Sequence, residues 1–191
     1  MATRTQHQIT DNTWFVTFTN HDWIPLFQIT DTYHLVYKWL KLISEKYSIK
    51  TMAFVIMPNH VHFLFHLEKD NINLNKVIGN GKRFMAYDII KKLKGSGNSE
   101  LLCRLASAVT DKEKAKGQLH KVFETSFDAK PIYTFKFLYQ KLDYIHHNPV
   151  SGKWNLCNEF TDYPHSSAAL YELGILHPHV EITDFREYWV D

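Results

Sequence analysis

The stretch TMAFVIMPNHVHFLFHL, residues 51–67, decides the predicted fold. It holds two runs of apolar and β-prone residues, Thr51 to Met57 and His60 to Leu67, which are separated only by Pro58 and Asn59. Proline followed by asparagine is typical of a tight turn, and strands joined by so short a link pair in opposite directions. The stretch therefore predicts an antiparallel β-hairpin.

The segments on either side of this hairpin predict alternating strands and helices. In chain order we expect a strand over 14–19, a helix over 32–47, the hairpin, a helix over 74–94, an extended segment over 118–130 and a helix over 134–148. The order β-α-β-β-α-β is the ferredoxin-like pattern. The sequence thus predicts an α+β two-layer sandwich with an antiparallel sheet, followed by a C-terminal helix.

The domain organisation that follows from this order is simple. We expect one main domain over residues 1–150, with an inserted, charge-rich helix at about 100–116. Residues 151–191 are rich in aromatic side chains and are expected to pack on that domain as a tail.

Composition narrows the possible classes of protein. The chain has 191 residues, of which 45% are hydrophobic, so it can bury a core of its own. Its two cysteines, Cys103 and Cys157, form neither a zinc motif nor a disulfide framework, and a reducing cytoplasm fits best. Met1 to Asp11 shows no secretory signal, and no apolar run is long enough to span a membrane.

Positive charge is concentrated in one predicted helix. The net charge of the whole chain is only +2, but residues 71–94 hold six basic residues and one acidic residue, a local charge of +5. Such a helix suits a phosphate backbone, although the same pattern is compatible with an ordinary solvated helix face.

The second strand of the hairpin carries a histidine pair. Because side chains alternate along a strand, His60 and His62 share one face with Leu64 and His66, about 7 Å apart along the strand. The opposite face, with Val61, Phe63, Phe65 and Leu67, predicts a core. Two histidines so placed can chelate one cation. The alternative is a pair of exposed strand histidines.

The last predicted helix carries a tyrosine with an amide one turn later. Tyr144 and Asn148 are four residues apart and so share a helix face, while Leu142 and Ile145 take the core stripe. Tyr144 could act as a nucleophile and Asn148 could supply an oxygen ligand. The alternative is a tyrosine packed at the edge of the domain.

Taken together, these motifs resemble a known family. The sequence HVH at 60–62 followed by YIHHNPV at 144–150 resembles the HUH single-tyrosine transposases of bacterial insertion sequences. The second of these motifs, with DYPHSSA at 162–168, is most similar to the REP-associated tyrosine transposases, and Lys82-Arg83-Phe84 is similar to a basic segment of the same family. The resemblance extends from about Thr13 to Tyr171.

This resemblance implies a function and a site. Residues 1–150 would be a catalytic domain that cuts and rejoins single-stranded or hairpin DNA through a 5′-phosphotyrosine intermediate on Tyr144. The implied ligands of Mg²⁺ or Mn²⁺ are His60, His62 and Asn148. The expected DNA-binding residues are Lys82, Arg83, Lys91 and Lys92. A homodimer is possible in such a family. Two alternatives remain: a domesticated protein that binds hairpin DNA without mobilising it, and a metal-dependent phosphohydrolase.

Overall fold

A computed structural model describes residues 12–190. The prediction that no secretory signal is present concerns Met1 to Asp11, which lie outside the described residues. Within residues 12–190, no helix is both long enough and apolar enough to cross a membrane.

A four-stranded sheet forms the centre of the fold. Its strands are β1 (Thr13–Thr19), β2 (Ile49–Ile56), β3 (His60–Leu67) and β4 (Asp128–Pro131). They lie in the order β2-β3-β1-β4, and every neighbouring pair is antiparallel. The predicted hairpin is β2 and β3, and the ferredoxin-like arrangement is confirmed.

The helices cover both faces of this sheet. They are α1 (Leu26–Thr30), α2 (Tyr33–Tyr47), α3 (Leu74–Gly95), α4 (Ser99–Ser107), α5 (Asp111–Lys114), α6 (Phe135–His147) and α7 (Ala168–Leu173). The helices α2 and α3 share one hydrophobic core with one face of the sheet. The helix α6 and the C-terminal segment share a second core with the other face. The expected C-terminal helix therefore covers the face that α2 and α3 leave open.

A glycine explains how α3 packs closely against α2. A Cβ atom at Gly81 would lie only 2.4 Å from the indole nitrogen of Trp39, so a larger residue would force the two helices apart. Glycine lowers helix propensity, but tertiary packing outweighs that local cost here. The predicted helix over 74–94 is therefore found, with Gly81 at its contact with α2.

The inserted segment differs from its prediction. Instead of one helix over about 100–116, the chain forms α4 and then the short α5. Thr110 separates them because its side chain and that of Glu113 form a capping box that starts a new helix.

The extended segment over 118–130 is also shorter than expected as a strand. Only Asp128–Pro131 pairs with β1 as β4, and Phe123 contributes an isolated bridge to Asn20. The carbonyl groups just before β4, those of residues 124–126, are instead bonded to the ammonium group of Lys82.

The residues after α6 contact the sheet at several points. Ser166 forms a β-bridge with Val55. The hydroxyl of Ser167 bonds to the backbone of Phe54, and the indole of Trp189 donates to the hydroxyl of Thr13. The contacts of Ser166 and Ser167 lie along the outer edge of β2, which is an edge strand of the sheet.

Candidate active site

The two histidines of β3 lie side by side under α6. His60 and His62 are both buried, and the centroids of their rings are 4.7 Å apart. The alternating residues Val61 and Phe63 belong to the core on the opposite face. The strand thus brings the predicted pair together on one face, as the alternation of side chains requires.

The hydrogen bonds of Asn59 orient the ring of His60. The side-chain nitrogen of Asn59 donates to the carbonyl of Trp23 at 2.8 Å, which leaves the side-chain oxygen facing Nδ1 of His60 at 2.7 Å. Because that oxygen can only accept, Nδ1 must carry the proton. The lone pair of His60 is therefore on Nε2, the nitrogen that would face a cation.

His62 has an unpaired nitrogen in a buried position. Its Nδ1 is hydrogen-bonded to the hydroxyl of Thr17 at 2.6 Å, whereas its Nε2 is buried without a hydrogen-bond partner. A buried polar atom without a partner is costly, and such an atom in a native fold often marks a site for an ion or ligand.

Burial also keeps both imidazoles neutral. It lowers the pKa of His60 to about 4, an effect that a hydrogen bond with Asn148 partly offsets. Burial is likewise the main cause that lowers the pKa of His62 well below its usual value, and the electrostatic interactions with His60 and Lys141 add to it. A neutral ring is the form that ligates a metal.

Tyr144 lies against His62. The centroids of the two rings are 4.9 Å apart, and the Tyr144 side chain remains 46% exposed, so its ring reaches both the histidine and solvent. Helix α6 holds it there because Leu138, Leu142 and Ile145 are buried in the core below. The predicted polar face of this helix, with Tyr144 on it, thus meets the histidine strand.

Asn148 completes the group at the end of α6. It is buried, and its interaction with the His60 ring opposes the lowering of the His60 pKa by burial. Next to it on the helix, His146 is buried and its Nε2 lies 2.9 Å from the hydroxyl of Ser167, which in turn bonds to the backbone of Phe54 in β2. The end of α6 is thereby fastened to the sheet beside the histidines.

Three further residues around the site were not identified from the sequence. Asn59 and Thr17 orient the histidines, and Lys141 places its ammonium group 5.4 Å from the ring centroid of Tyr144 and 4.6 Å from that of Phe15. Lys141 precedes Tyr144 by three residues, a spacing that puts both on one helix face, so the sequence did contain this signal.

The donor set fits a divalent cation that takes further ligands from substrate. Residues 12–190 contain no cluster of three or more histidine, cysteine or acidic side chains that could hold a metal by themselves. The lone pairs of His60 and His62 with the amide of Asn148 offer a partial set, and the partnerless Nε2 of His62 is the observation that favours a cation there. Hydrogen bonds to the outer nitrogens of both rings are the usual support for metal-ligating histidines.

The expected DNA-binding residues on α3 are not part of this site. The helix packs on the sheet face opposite the histidines, where Arg83, Lys91 and Lys92 are exposed. Lys91 and Lys92 line a cleft between α2 and α3 together with His34 and Lys38. Any DNA bound there would lie away from Tyr144.

Lys82 requires a correction. It is only 9% exposed, and its ammonium group donates to the carbonyls of Glu124, Thr125 and Ser126 at 2.5, 3.3 and 3.1 Å. The charge thus compensates three backbone dipoles of the segment before β4. This geometry argues against the phosphate contact predicted for Lys82.

Comparisons with known proteins agree with this fold. The family model described as "Transposase IS200 like" matches residues 26–102, which include His60 and His62 but end before Tyr144. A solved structure of a REP-associated tyrosine transposase bound to a REP hairpin is similar with a TM-score of 0.58 and 19% identity, covering 97% of this chain and 95% of that chain.

Two further comparisons carry less weight. A candidate transposase from Deinococcus radiodurans R1 gives a TM-score of 0.34 at 14% identity, over 75% of this chain and 95% of that chain, which is too low to compare folds. No curated protein sequence matches the chain significantly.

These findings show which proteins this chain is similar to. The fold is that of the IS200-like transposases, and the match over residues 26–102 confirms the resemblance read from the sequence motifs. The chain is similar to the REP-associated branch in fold over nearly its whole length.

Proposed function

We propose that this protein cuts single-stranded DNA with Tyr144 and rejoins it through a 5′-phosphotyrosine intermediate, using Mg²⁺ or Mn²⁺ held by His60, His62 and Asn148. The observation that carries the proposal is the position of Tyr144. Its ring lies 4.9 Å from that of His62, whose Nε2 is buried without a partner. A candidate nucleophile, a buried nitrogen without a hydrogen-bond partner and an amide side chain thus come together from α6 and β3.

The chemistry would proceed by two balanced transesterifications. The phenol oxygen of Tyr144 attacks phosphorus, the bond from phosphorus to the 3′-oxygen breaks, and the phenol proton is released as the 3′-oxygen becomes a hydroxyl. A second 3′-hydroxyl can then attack the phosphotyrosine and restore both the phosphodiester and the phenol. A bound cation would supply polarisation of the phosphate and offset charge in the transition state.

The surrounding residues support this reaction by orientation and charge. Asn59 and Thr17 fix the ring positions of the two histidines. Among residues 12–190, Lys141 has no ion pair or hydrogen bond from its ammonium group, which lies beside the rings of Tyr144 and Phe15. That charge is placed to attract the phosphate that Tyr144 would attack.

The proposal extends to the substrate and to the organisation of the chain. Because the similar solved structure is bound to a REP hairpin, we propose hairpin-flanked single-stranded DNA in the cytoplasm as the substrate of this chain. Residues 1–150 would be the catalytic domain, with 151–191 as its appended segment. The candidate nucleophile and the candidate metal ligands come together within one chain, and a homodimer is compatible with the proposal.

The experiment that tests this function is capture of the covalent adduct. Hairpin oligonucleotides with randomised single-stranded flanks, labelled at the 3′ end, are incubated with the protein and Mn²⁺ and run on a denaturing gel. We expect label to migrate with the protein, and Tyr144→Phe to abolish the adduct without loss of folding. The matched control is Tyr139→Phe on the same helix, which should retain it.

The outcomes also separate the rival functions. Cleavage without a trapped adduct would indicate a hydrolytic enzyme, as the phosphohydrolase alternative requires. Hairpin binding without cleavage would indicate a domesticated DNA-binding protein. An adduct that persists in Tyr144→Phe would show that the nucleophile is another residue.

A further inference from the structure

We propose that Trp23 is a stacking platform for a nucleobase of the DNA strand next to the scissile phosphate. The proposal rests on the proposed function, because it places the base beside the His60 end of the site. It adds a binding subsite for single-stranded DNA that stacks on the flat face of a base and does not distinguish one base from another.

The first observation is the position of the Trp23 ring. The indole is 58% exposed, yet its centroid lies only 5.5 Å from that of His60, with the two planes at 69°. Such a large apolar ring at the surface contributes little to the core. It does present an open aromatic face at the mouth of the candidate site.

The second observation is the backbone that presents this ring. Asp22 and Trp23 both have positive φ angles, 50° and 54°, in a short 3-10 turn over His21–Trp23. Two successive residues with side chains in this region are strained, and such strain is typical of functional sites. The fold thus holds Trp23 in a conformation that a relaxed loop would avoid.

Specific contacts keep that conformation in place. The carbonyl of Trp23 accepts a hydrogen bond from Asn59 at 2.8 Å, and the backbone nitrogen of Asp22 donates to Glu124 at 3.0 Å. The carboxylate of Asp22 also pairs with Arg104 of α4. Because Asn59 bonds to both Trp23 and His60, the exposed indole and the proposed metal ligand share one support.

The chemistry of the surroundings favours a base over another occupant. The ring of Trp154 is also near that of His60, with a distance of 6.3 Å between the ring centroids. The ammonium group of Lys153 lies 5.6 Å from the centroid of the Trp154 ring. Aromatic rings interleaved with a cation are the usual composition of sites that bind single strands by stacking and charge. A DNA strand with its phosphate at the histidines would bring an adjacent base within reach of these rings.

The test compares two probes in chelator, where no cleavage interferes. We would measure the affinity for a fluorescent ten-nucleotide oligothymidylate and for an abasic strand of the same length. Wild type should prefer the thymidylate, and Trp23→Gly should reduce its affinity for that strand about fivefold or more while leaving the abasic strand unaffected. Glycine tolerates positive φ, so this variant should fold at least as well as wild type.

Two further variants complete the experiment. Trp23→Phe keeps an aromatic face and should retain part of the preference. Ser48→Gly, which relieves a positive φ of 55° at the end of α2 far from the histidines, should leave both affinities unchanged. Equal affinity of wild type for the two strands, or an unchanged preference in folded Trp23→Gly, would overturn the proposal. Absence of the Tyr144 adduct in wild type would instead overturn the proposed function. The binding assay in chelator tests the Trp23 subsite, and the denaturing gel tests the adduct, so the two failures can be distinguished.

Discussion

The ring of Tyr144 lies edge-on to that of His62, with an interplanar angle of 67°. The two residues come from α6 and β3, which meet because α6 packs on the sheet face that carries the histidines. This contact brings a candidate nucleophile to a candidate metal ligand within one chain.

Removal of the histidines should abolish cation-dependent cleavage without unfolding the protein. His60→Ala and His62→Ala each delete one neutral nitrogen donor, so the remaining set should hold Mn²⁺ too weakly to act. Manganese binding is measured by electron paramagnetic resonance, and adduct formation on gels. His66→Ala on the same strand face is the control, since His66 bonds to Thr13 and packs on Tyr188 away from Tyr144. Full activity of His62→Ala in excess chelator would refute the metal assignment.

Asn59 should act through His60. Asn59→Ala removes the acceptor that fixes the proton on Nδ1, so His60 can rotate or present the protonated nitrogen to a cation. Loss of such a supporting bond reduces metal affinity or activity by about 10- to 100-fold. Titration of Mn²⁺ should show weaker binding, and saturating Mn²⁺ should restore part of the activity. An unaltered Mn²⁺ titration in the folded variant would contradict this role.

Lys141 should accelerate formation of the adduct. Lys141→Met keeps most of the apolar stem that covers Phe15 but removes the charge beside Tyr144. We expect the rate of adduct formation to fall by up to about tenfold. Lys141→Arg restores a cation at the same position and should recover most of the rate. The measurement is single-turnover adduct formation at saturating DNA. Equal rates for Met and Arg variants would show that the charge is not used.

Much of this site could be predicted from the sequence because its geometry is local. Alternation along β3 places His60 beside His62, and the helical period places Asn148 one turn after Tyr144. The hairpin and the β-α-β-β-α-β order likewise follow from short-range patterns. What the sequence could not provide are contacts between distant segments.

Lys82 and Asn59 illustrate that limit. Lys82 looks like any basic residue on a helix, but burial against residues 124–126 turns its ammonium group inward. Asn59 was read only as part of a turn, although its amide also joins His60 to Trp23. In both cases the decisive partner is remote in sequence.

Replacement of Lys82 should therefore lower stability, whereas replacement of Arg83 should not. Lys82→Met leaves three carbonyls without their cation and should lower the free energy of unfolding by roughly 1–3 kcal/mol. Arg83→Ala, at an exposed position, should leave stability almost unchanged. Arg83, Lys91 and Lys92 are expected to contact phosphates. If they do, each replacement by alanine should reduce the slope of the logarithm of the DNA-binding constant against the logarithm of the salt concentration by about 0.7. Denaturant unfolding and salt titrations check the two effects, and equal stability losses in the two variants would contradict the assignment.

His165 should make the fold sensitive to acid. Its Nδ1 lies 2.5 Å from the hydroxyl of Tyr37, and its ring stacks on Tyr33 with centroids 3.8 Å apart. Burial lowers the pKa of His165 to about 4; the positive charges of His177 and His179 add to this effect, and Asp31 opposes it. The ring is therefore neutral in the folded protein at a pH where it is protonated in the unfolded chain.

The sign of the pH dependence follows from that difference. Between about pH 6.5 and pH 4 the unfolded chain binds a proton at His165 that the folded protein does not, so unfolding takes up a proton. The free energy of unfolding should consequently fall as the pH falls through this window. Burial lowers the pKa of His146 to about 4 as well, so the wild-type slope contains at least these two contributions. His165→Gln should remove up to one proton from the slope, measured by urea unfolding at several pH values. Parallel stability curves for wild type and His165→Gln would show that this histidine is not the acid-sensitive group.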